Sequence, residues 1–390
     1  MPLLINWILL LIFWLLAVYS TSVYESFTMS VASIAKYWAD SSFSEPTNYY
    51  YFYQQIKSLI YIAIIFVILR KFPIKSLKNH KFAWAIMIWT FILQCLVFTR
   101  WGASYNWARW WLDFPGIPSI QPSEFFKLAY VIFLASWLTR KKENIKSWRF
   151  FLTFIILSAI LYFVFLLIPD AWTILIIWGT ALIMVRFSWL KLKRTLLILS
   201  IWIWSALIAT YTLGKVDKKY NYLTKRVSYF LTLDKEKKQA EREKTWWQTT
   251  QALIAIWWWG FFGNWYGRWL QKYSNLPESY CDFIFAAFSE EIWFVWNIFL
   301  IALYIRMFRY VLKRLQKVFD PQLKLIWVWI ISLIIVQTLI NIWVNIQIIP
   351  TTWVTLPFVS AWWSALMVNC IELLLLYKIL QTENKVLPVR

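Results

Sequence analysis

Asp282 stands immediately ahead of the apolar run FIFAAF and behind a polar patch holding Gln271, Lys272 and Glu278. A carboxylate partly withdrawn from water at a bilayer edge has its pKa raised toward that of a general base. An Asp in the same place could also cap the helix that follows, and the sequence leaves both roles open. Two turns further on come Glu290 and Glu291, of which at least one must face protein or water rather than lipid. A second set lies in GIPSIQPSEFFKLAY, Gly116 to Tyr130, where Glu124 and Lys127 are three residues apart on one helical face. Pro122, Ser123 and Glu124 read as a helix start, so a capped helix and a functional ion pair both fit. Arg109, in NWARWWLDF, is a cation in aromatic surroundings, suited either to an interface or to a phosphate. Asp170, after Pro169, opens an apolar segment and reads first as its cap.

The elements that must position these residues follow from composition. Of 390 residues, 61% are hydrophobic and 15% charged, with a mean hydropathy of +0.55, which excludes an ordinary soluble domain. Ten apolar segments are long enough to span a bilayer: 2–19, 50–69, 82–98, 122–138, 151–168, 171–186, 194–213, 283–305, 324–346 and 355–380. The first lacks a basic leader and a small-residue cleavage site, so it reads as an uncleaved helix. The fold class expected is an all-α integral membrane protein, a single polytopic domain over 1–390. The formal net charge of +21 fits basic cytoplasmic loops next to anionic membrane lipid, and no nucleic-acid partner is expected. The connections Arg70–Lys81, Arg140–Arg149, Arg186–Arg194 and Arg306–Lys324 are rich in Lys and Arg, which puts them and both termini in the cytoplasm. Residues 214–281 exceed the length to which that rule applies and form a large extracytoplasmic loop between the seventh and eighth segments.

Three cysteines, two of them inside apolar segments, give no disulfide framework, and the single histidine, His80, reads as a solvated residue of the basic loop KNHK. No zinc or Ser-His-Asp chemistry can be built from one such histidine. The last segment, IIPTTWVTLPFVSAWWSALM, carries Pro350, Pro357 and Ser360, and helices broken at membrane depth usually line a cavity. A glycosyl-transfer enzyme and a transporter or flippase for a lipid-linked precursor would both use such acids and breaks. A scaffold without catalysis fits the acid-rich outer motif less well.

Four motifs in order, QPSEFFKLA at 121–129, IPDAWT at 168–173, QALIAI through LPESYCDFIFAAFSEE at 251–291, and IPTTWVTLPFVSAWWSAL at 349–366, resemble the SEDS family of peptidoglycan polymerases (FtsW, RodA and SpoVE), with a lean toward the FtsW side. The resemblance covers most of the chain. It implies polymerisation of lipid II at the outer membrane face with loss of the undecaprenyl pyrophosphate carrier, in division or elongation. It places the family's essential aspartate on Asp282 and suggests Arg109, Lys127 and Lys272 for the substrate, beside Glu124 and Glu290. It also implies a class B penicillin-binding protein as partner and assistance by a divalent cation, Mg or Mn, whose ligands the sequence does not show.

One departure from that pattern has a single direction. Positions 107, 110, 172, 246, 257, 259, 265, 269, 293, 296, 343, 353, 362 and 363 are Trp where the family's pattern has Gly. The chain has 31 Trp and 7 Gly, where average usage would give about 27 glycines. Interfacial belts account for some Trp, but not for WWWGFFGNWYGRW, where turns want positive φ and helices close approach. The expectation is that most of these are UGA codons meaning glycine in the source organism, translated here as tryptophan.

Overall fold

The computed structural model describes residues 2–36, 47–105, 108–114, 118–168, 170–188, 190–216, 226, 244–257, 276 and 279–386. The fold is helical. In chain order the helices are α1 (Pro2–Thr21), α2 (Val23–Lys36), α3 (Tyr50–Arg70), α4 (His80–Leu96), α5 (Pro122–Arg140), α6 (Trp148–Leu167), α7 (Ala171–Phe187), α8 (Leu192–Val216), α9 (Lys244–Trp257), α10 (Ile284–Arg314), α11 (Pro321–Asn345) and α12 (Trp363–Val386). Each of the ten apolar segments read from the sequence falls wholly or mostly on one of them. By length and composition four described helices qualify as membrane spans, namely α3, α6, α11 and Trp363–Glu383 of α12, and a fifth counts if the pair α1 and α2, bent by 52°, is one broken span. Helix α9 lies within 214–281, and α2 follows the first apolar segment.

The helix ends show why the elements start and stop where they do. Asn79 accepts from the Lys81 amide at the start of α4, Ser147 from Phe150 at the start of α6, and Asp170 from Thr173 at the start of α7. Helix α5 opens with Pro122 and an acid, Glu124, in its first turn. At the end of α3 the carbonyls of Leu69, Arg70 and Phe72 are gathered by the Lys378 ammonium, a cation where the helix dipole is negative.

A two-stranded antiparallel sheet departs from the all-α expectation. Strand β1 (Gly102–Tyr105) pairs with β2 (Ala108–Leu112), with a register irregularity between Ala103 and Ser104, and Leu112 bridges on to Ile120. Strands of four and five residues are too short to give a readable alternation. Gly102 is required there, because a Cβ at this position would lie 1.9 Å from the Val97 carbonyl oxygen.

The chain forms two compact units. One comprises Met1–Ile68, Tyr229–Val311 and Gln337–Cys370, and the other Leu69–Ser228, Leu312–Val336 and Ile371–Arg390. In the first, Ala252 and Ala255 of α9 pack with Leu276, Phe283, Ala286, Ala287 and Val344, small residues letting the helices approach closely. In the second, α5 is the centre: it packs along α4 and is buried from Phe126 through Ser136. By contrast α3 has only 17% of its apolar window buried, so most of its surface is left for lipid.

Candidate functional site

In the first unit, Asp282 is 4% exposed and lies in a turn two residues ahead of α10. The three consecutive carbonyls leading up to the helix are held from outside. Ala361 N–H donates to Tyr280 O at 3.1 Å, Ser360 Oγ to Cys281 O at 2.8 Å, and Asn341 Nδ2 and Asn345 Nδ2 to Asp282 O at 2.9 and 3.2 Å. Asn341 also donates to Val354 O at 2.8 Å, and Ser360 Oγ accepts from Leu356 N–H at 2.7 Å. The turn before α10, helix α11 and the loop 346–362 are thus laced together by buried polar side chains. The loop holds a strained residue, Phe358, at φ 65, which is 1% exposed, and Tyr304 Oη donates to the neighbouring Pro357 carbonyl. The carboxylate itself receives a long contact, 3.4 Å, from Trp362 Nε1.

The cap role left open by the sequence is taken by another residue at one donor. Ala286 N–H, in the first turn of α10, donates to Asn345 Oδ1 at 3.1 Å. Glu290 is fully buried on the same helix, so at least one of the acid pair does face protein. Near it, Asn297 Nδ2 donates to Ser289 Oγ.

In the second unit, Glu124 and Lys127 form an ion pair of 2.8 Å with side chains 9% and 2% exposed. Asp170 caps α7, accepting from Thr173 N–H at 3.1 Å, and feels the charges of Lys127 and Glu124. Burial pushes the Asp170 carboxyl above the usual carboxylate range, against the lowering pull of the Thr173 hydrogen bonds and of Lys127. Glu372 of α12 faces the same pair. It is fully buried, and among the described residues neither of its oxygens has a hydrogen-bond partner. The charge of Lys127 thus acts on Asp170 and Glu372 as well as on its partner Glu124. Glu372 went unremarked in the sequence, although an acid inside CIELLLL is the signal that flags a functional candidate within a span. The same rule would have found Asn341 and Asn345.

Arg109 is exposed on β2, its Nε donating to Ser104 Oγ at 3.2 Å across the hairpin. The next residue, Trp110, ties that hairpin to the start of α7 through Ile168 O at 2.9 Å, and β2 packs on α5. Arg109, Glu124, Lys127 and Asp170 therefore share one unit, and Asp282 and Glu290 the other. Lys272, Gln271 and Glu278 lie outside the described residues. His80 is more engaged than a solvated loop residue: it begins α4, accepts from Trp84 Nε1 at 3.0 Å, and lies 3.4 Å from Ser136 Oγ. Burial, with help from the Arg140 charge, holds its imidazole below the usual range. Among the described residues no three His, Cys, Asp or Glu side chains converge to hold a metal.

The family model for FtsW, RodA and SpoVE, described as "Cell cycle protein", matches residues 3–385. The chain belongs to the FtsW/RodA/SpoVE family. Among relatives of this family, the stage V sporulation protein E of Bacillus subtilis is 31% identical over 70% of the chain and 72% of that protein. A "Probable peptidoglycan glycosyltransferase FtsW" from Coxiella burnetii is 28% identical over 91% of the chain and 93% of its own length. A solved structure described as "Structural coordination of polymerization and crosslinking by a peptidoglycan synthase complex" contains a chain that superposes with a TM-score of 0.71 at 20% identity, covering 96% of this chain and 97% of that one. The Thermus thermophilus rod shape determining protein RodA superposes at 0.59 and 17% identity, over 97% of both chains. These two share the fold. Membership and the apolar helices together make this FtsW/RodA/SpoVE-family chain an integral membrane protein.

Proposed function

We infer that the chain is a peptidoglycan glycosyltransferase that polymerises lipid II at the outer face of the bacterial cytoplasmic membrane, in division or elongation. The observation that carries this reading is a family match running from residue 3 to 385 in a chain whose Asp282 is buried in a purpose-built polar seat. The fold serves it as one polytopic domain of ten spans, both termini cytoplasmic, with 214–281 as an outer loop between the seventh and eighth spans.

In the transfer step, Asp282 takes the proton of an attacking sugar hydroxyl as its oxygen bonds the anomeric carbon of a lipid-linked sugar. The bond from that carbon to the pyrophosphate breaks, and undecaprenyl pyrophosphate leaves with the electron pair. Cations offset its charge, a role assigned to Lys127, Arg109 and Lys272, with Glu124 and Glu290 orienting the substrate. Lys127 is paired with Glu124, so it comes to the substrate already oriented. Assistance by a divalent cation, Mg or Mn, belongs to this reading, with its ligands unassigned. The partner this reading implies is a class B penicillin-binding protein, supported by likeness to a chain from a structure concerned with coordinated polymerization and crosslinking.

The reading is tested with purified full-length protein in liposomes supplied with lipid II. Glycan polymer forms with wild type and falls about 10²- to 10⁴-fold with Asp282→Asn. Polymer made at the wild-type rate by a folded Asp282→Asn protein overturns it.

A further inference from the structure

The hydrogen bond that would extend α10 by one residue toward Asp282 runs from the Ala286 amide to the Asp282 carbonyl, because an α-helix pairs each N–H with the carbonyl four residues earlier. That bond is replaced. The Asn345 carboxamide stands between the two groups, its Oδ1 accepting from Ala286 N–H at 3.1 Å and its Nδ2 donating to Asp282 O at 3.2 Å. The next pair, Ala287 N–H to Phe283 O at 2.9 Å, is ordinary helix. A side-chain amide from α11 has thus been inserted into the first turn of α10. It stops the helix at Ile284 and leaves Asp282 in a turn.

Asn341, one helical turn before Asn345 on α11, secures the displaced group. Its Nδ2 donates to the same Asp282 carbonyl at 2.9 Å and to Val354 O at 2.8 Å, and its own backbone carbonyl accepts from Asn345 Nδ2 at 2.9 Å. Asn345 is 0% exposed and Asn341 1%. Carboxamides this deep are costly unless their donors and acceptors are matched, and here they are matched to main-chain groups of the Asp282 turn, of Val354 and of α11 itself. Were the only need to end a helix, a proline or a capping side chain on the chain itself would do so without recruiting a second helix.

We propose that Asn345, supported by Asn341, is the positioning residue of the Asp282 site, an inserted amide that holds Asp282 off the helix so that its carboxylate meets the substrate. This rests on Asp282 being the base. The contacts Asn345 makes with this turn run to main-chain groups, the Ala286 N–H and the Asp282 carbonyl. It acts through the main chain, as an outer-shell group orients an inner one. Its removal lets the Ala286 amide and the Asp282 carbonyl close on each other, adding a residue to α10 and turning the carboxylate away.

The test uses full-length protein in liposomes, with Asn345→Ala, Asn345→Leu, Asn341→Ala and Asp282→Asn assayed for lipid II polymerisation, lipid II binding and thermal midpoint. For the Asn345 variants the account expects kcat to fall about 10- to 100-fold, since displacement of a reacting group by about 1 Å has that cost. KM and lipid II binding stay within about two-fold, because only uniform binding would move them. Asn341→Ala, which leaves the inserted amide in place, gives a smaller fall of the same kind. It also decides the matter if the Asn345 variants do not fold: unaltered kcat then overturns the proposal. Folded Asn345 variants with wild-type kcat overturn it, as does a parallel loss of kcat, binding and thermal midpoint in every variant, which marks a structural role alone. Activity in Asp282→Asn overturns the base assignment itself, and is read separately from the Asn345 result.

Discussion

Asp282 and the Glu124–Lys127 pair are both buried acids at helix starts, yet they are held in opposite ways. Around Asp282 the fastening is done by neutral donors, Asn341, Asn345 and Ser360, acting on backbone carbonyls. Around Lys127 it is done by charge: one ammonium against Glu124 at 2.8 Å, with Asp170 and Glu372 feeling the same cation. A neutral frame fixes where a carboxylate sits without neutralising it, which suits a base that must accept a proton. Beside Lys127 opposite charge holds a buried cation in an oriented place, which suits the role proposed for it at a pyrophosphate. The two regions are therefore expected to fail differently when disturbed.

The largest effect is expected on the charged side. Lys127→Met leaves buried carboxylates without their cation, and breaking such a pair costs about 3 to 5 kcal/mol. Thermal unfolding of the reconstituted protein should show that loss, and Glu124→Gln combined with Lys127→Met should restore most of it while activity stays low. If the double variant is no more stable than the single one, charge balance is not what holds this region. A middle-sized effect is expected at the cap: Asp170→Ala lowers stability by about 1 kcal/mol through the lost acceptor for Thr173 N–H.

The smallest effect concerns pH and Asp170→Asn. Because burial raises the Asp170 pKa, the folded state binds the proton more tightly than the unfolded one. Its contribution to stability is therefore fullest below the unfolded pKa and declines as pH rises through the folded one. Asp170→Asn keeps an acceptor for the cap and removes the titration. Its thermal midpoint should match or slightly exceed wild type at neutral pH, and the difference should shrink in acid. A variant less stable at neutral pH than in acid, relative to wild type, contradicts the sign.

The helices were legible because apolar runs bounded by caps and basic loops need little else: Asn79, Ser147 and Asp170 are cap residues by type, and each is found capping. The ion pair was legible too, from a three-residue spacing. The Asn345 insertion was not, because it joins residues 59 and 63 apart in sequence, and no local pattern encodes an amide reaching into another helix. Glu372 was visible as a residue but not as a neighbour of Lys127. The hairpin escaped because its strands are short, and its anchor is Trp110, one of the positions where the family pattern has glycine.

Trp110 and Trp362 both make hydrogen bonds, to Ile168 and to Asp282, so the identity of these residues bears on the site. We propose that most of the Trp residues at those positions are UGA codons meaning glycine. The coding DNA is the check: UGA at those positions is the expected finding, and UGG would end the idea. With glycine at 362 the indole contact to Asp282 disappears, while the contacts from Asn341, Asn345 and Ser360 remain.

The most direct test of the whole account is lipid II polymerisation by the purified full-length protein, made with the residues its codons specify, comparing wild type with Asp282→Asn at equal folded amounts and equal lipid II binding. The account predicts glycan strands from the first and a rate lower by about 10²-fold or more from the second. Equal rates from the two proteins would contradict it.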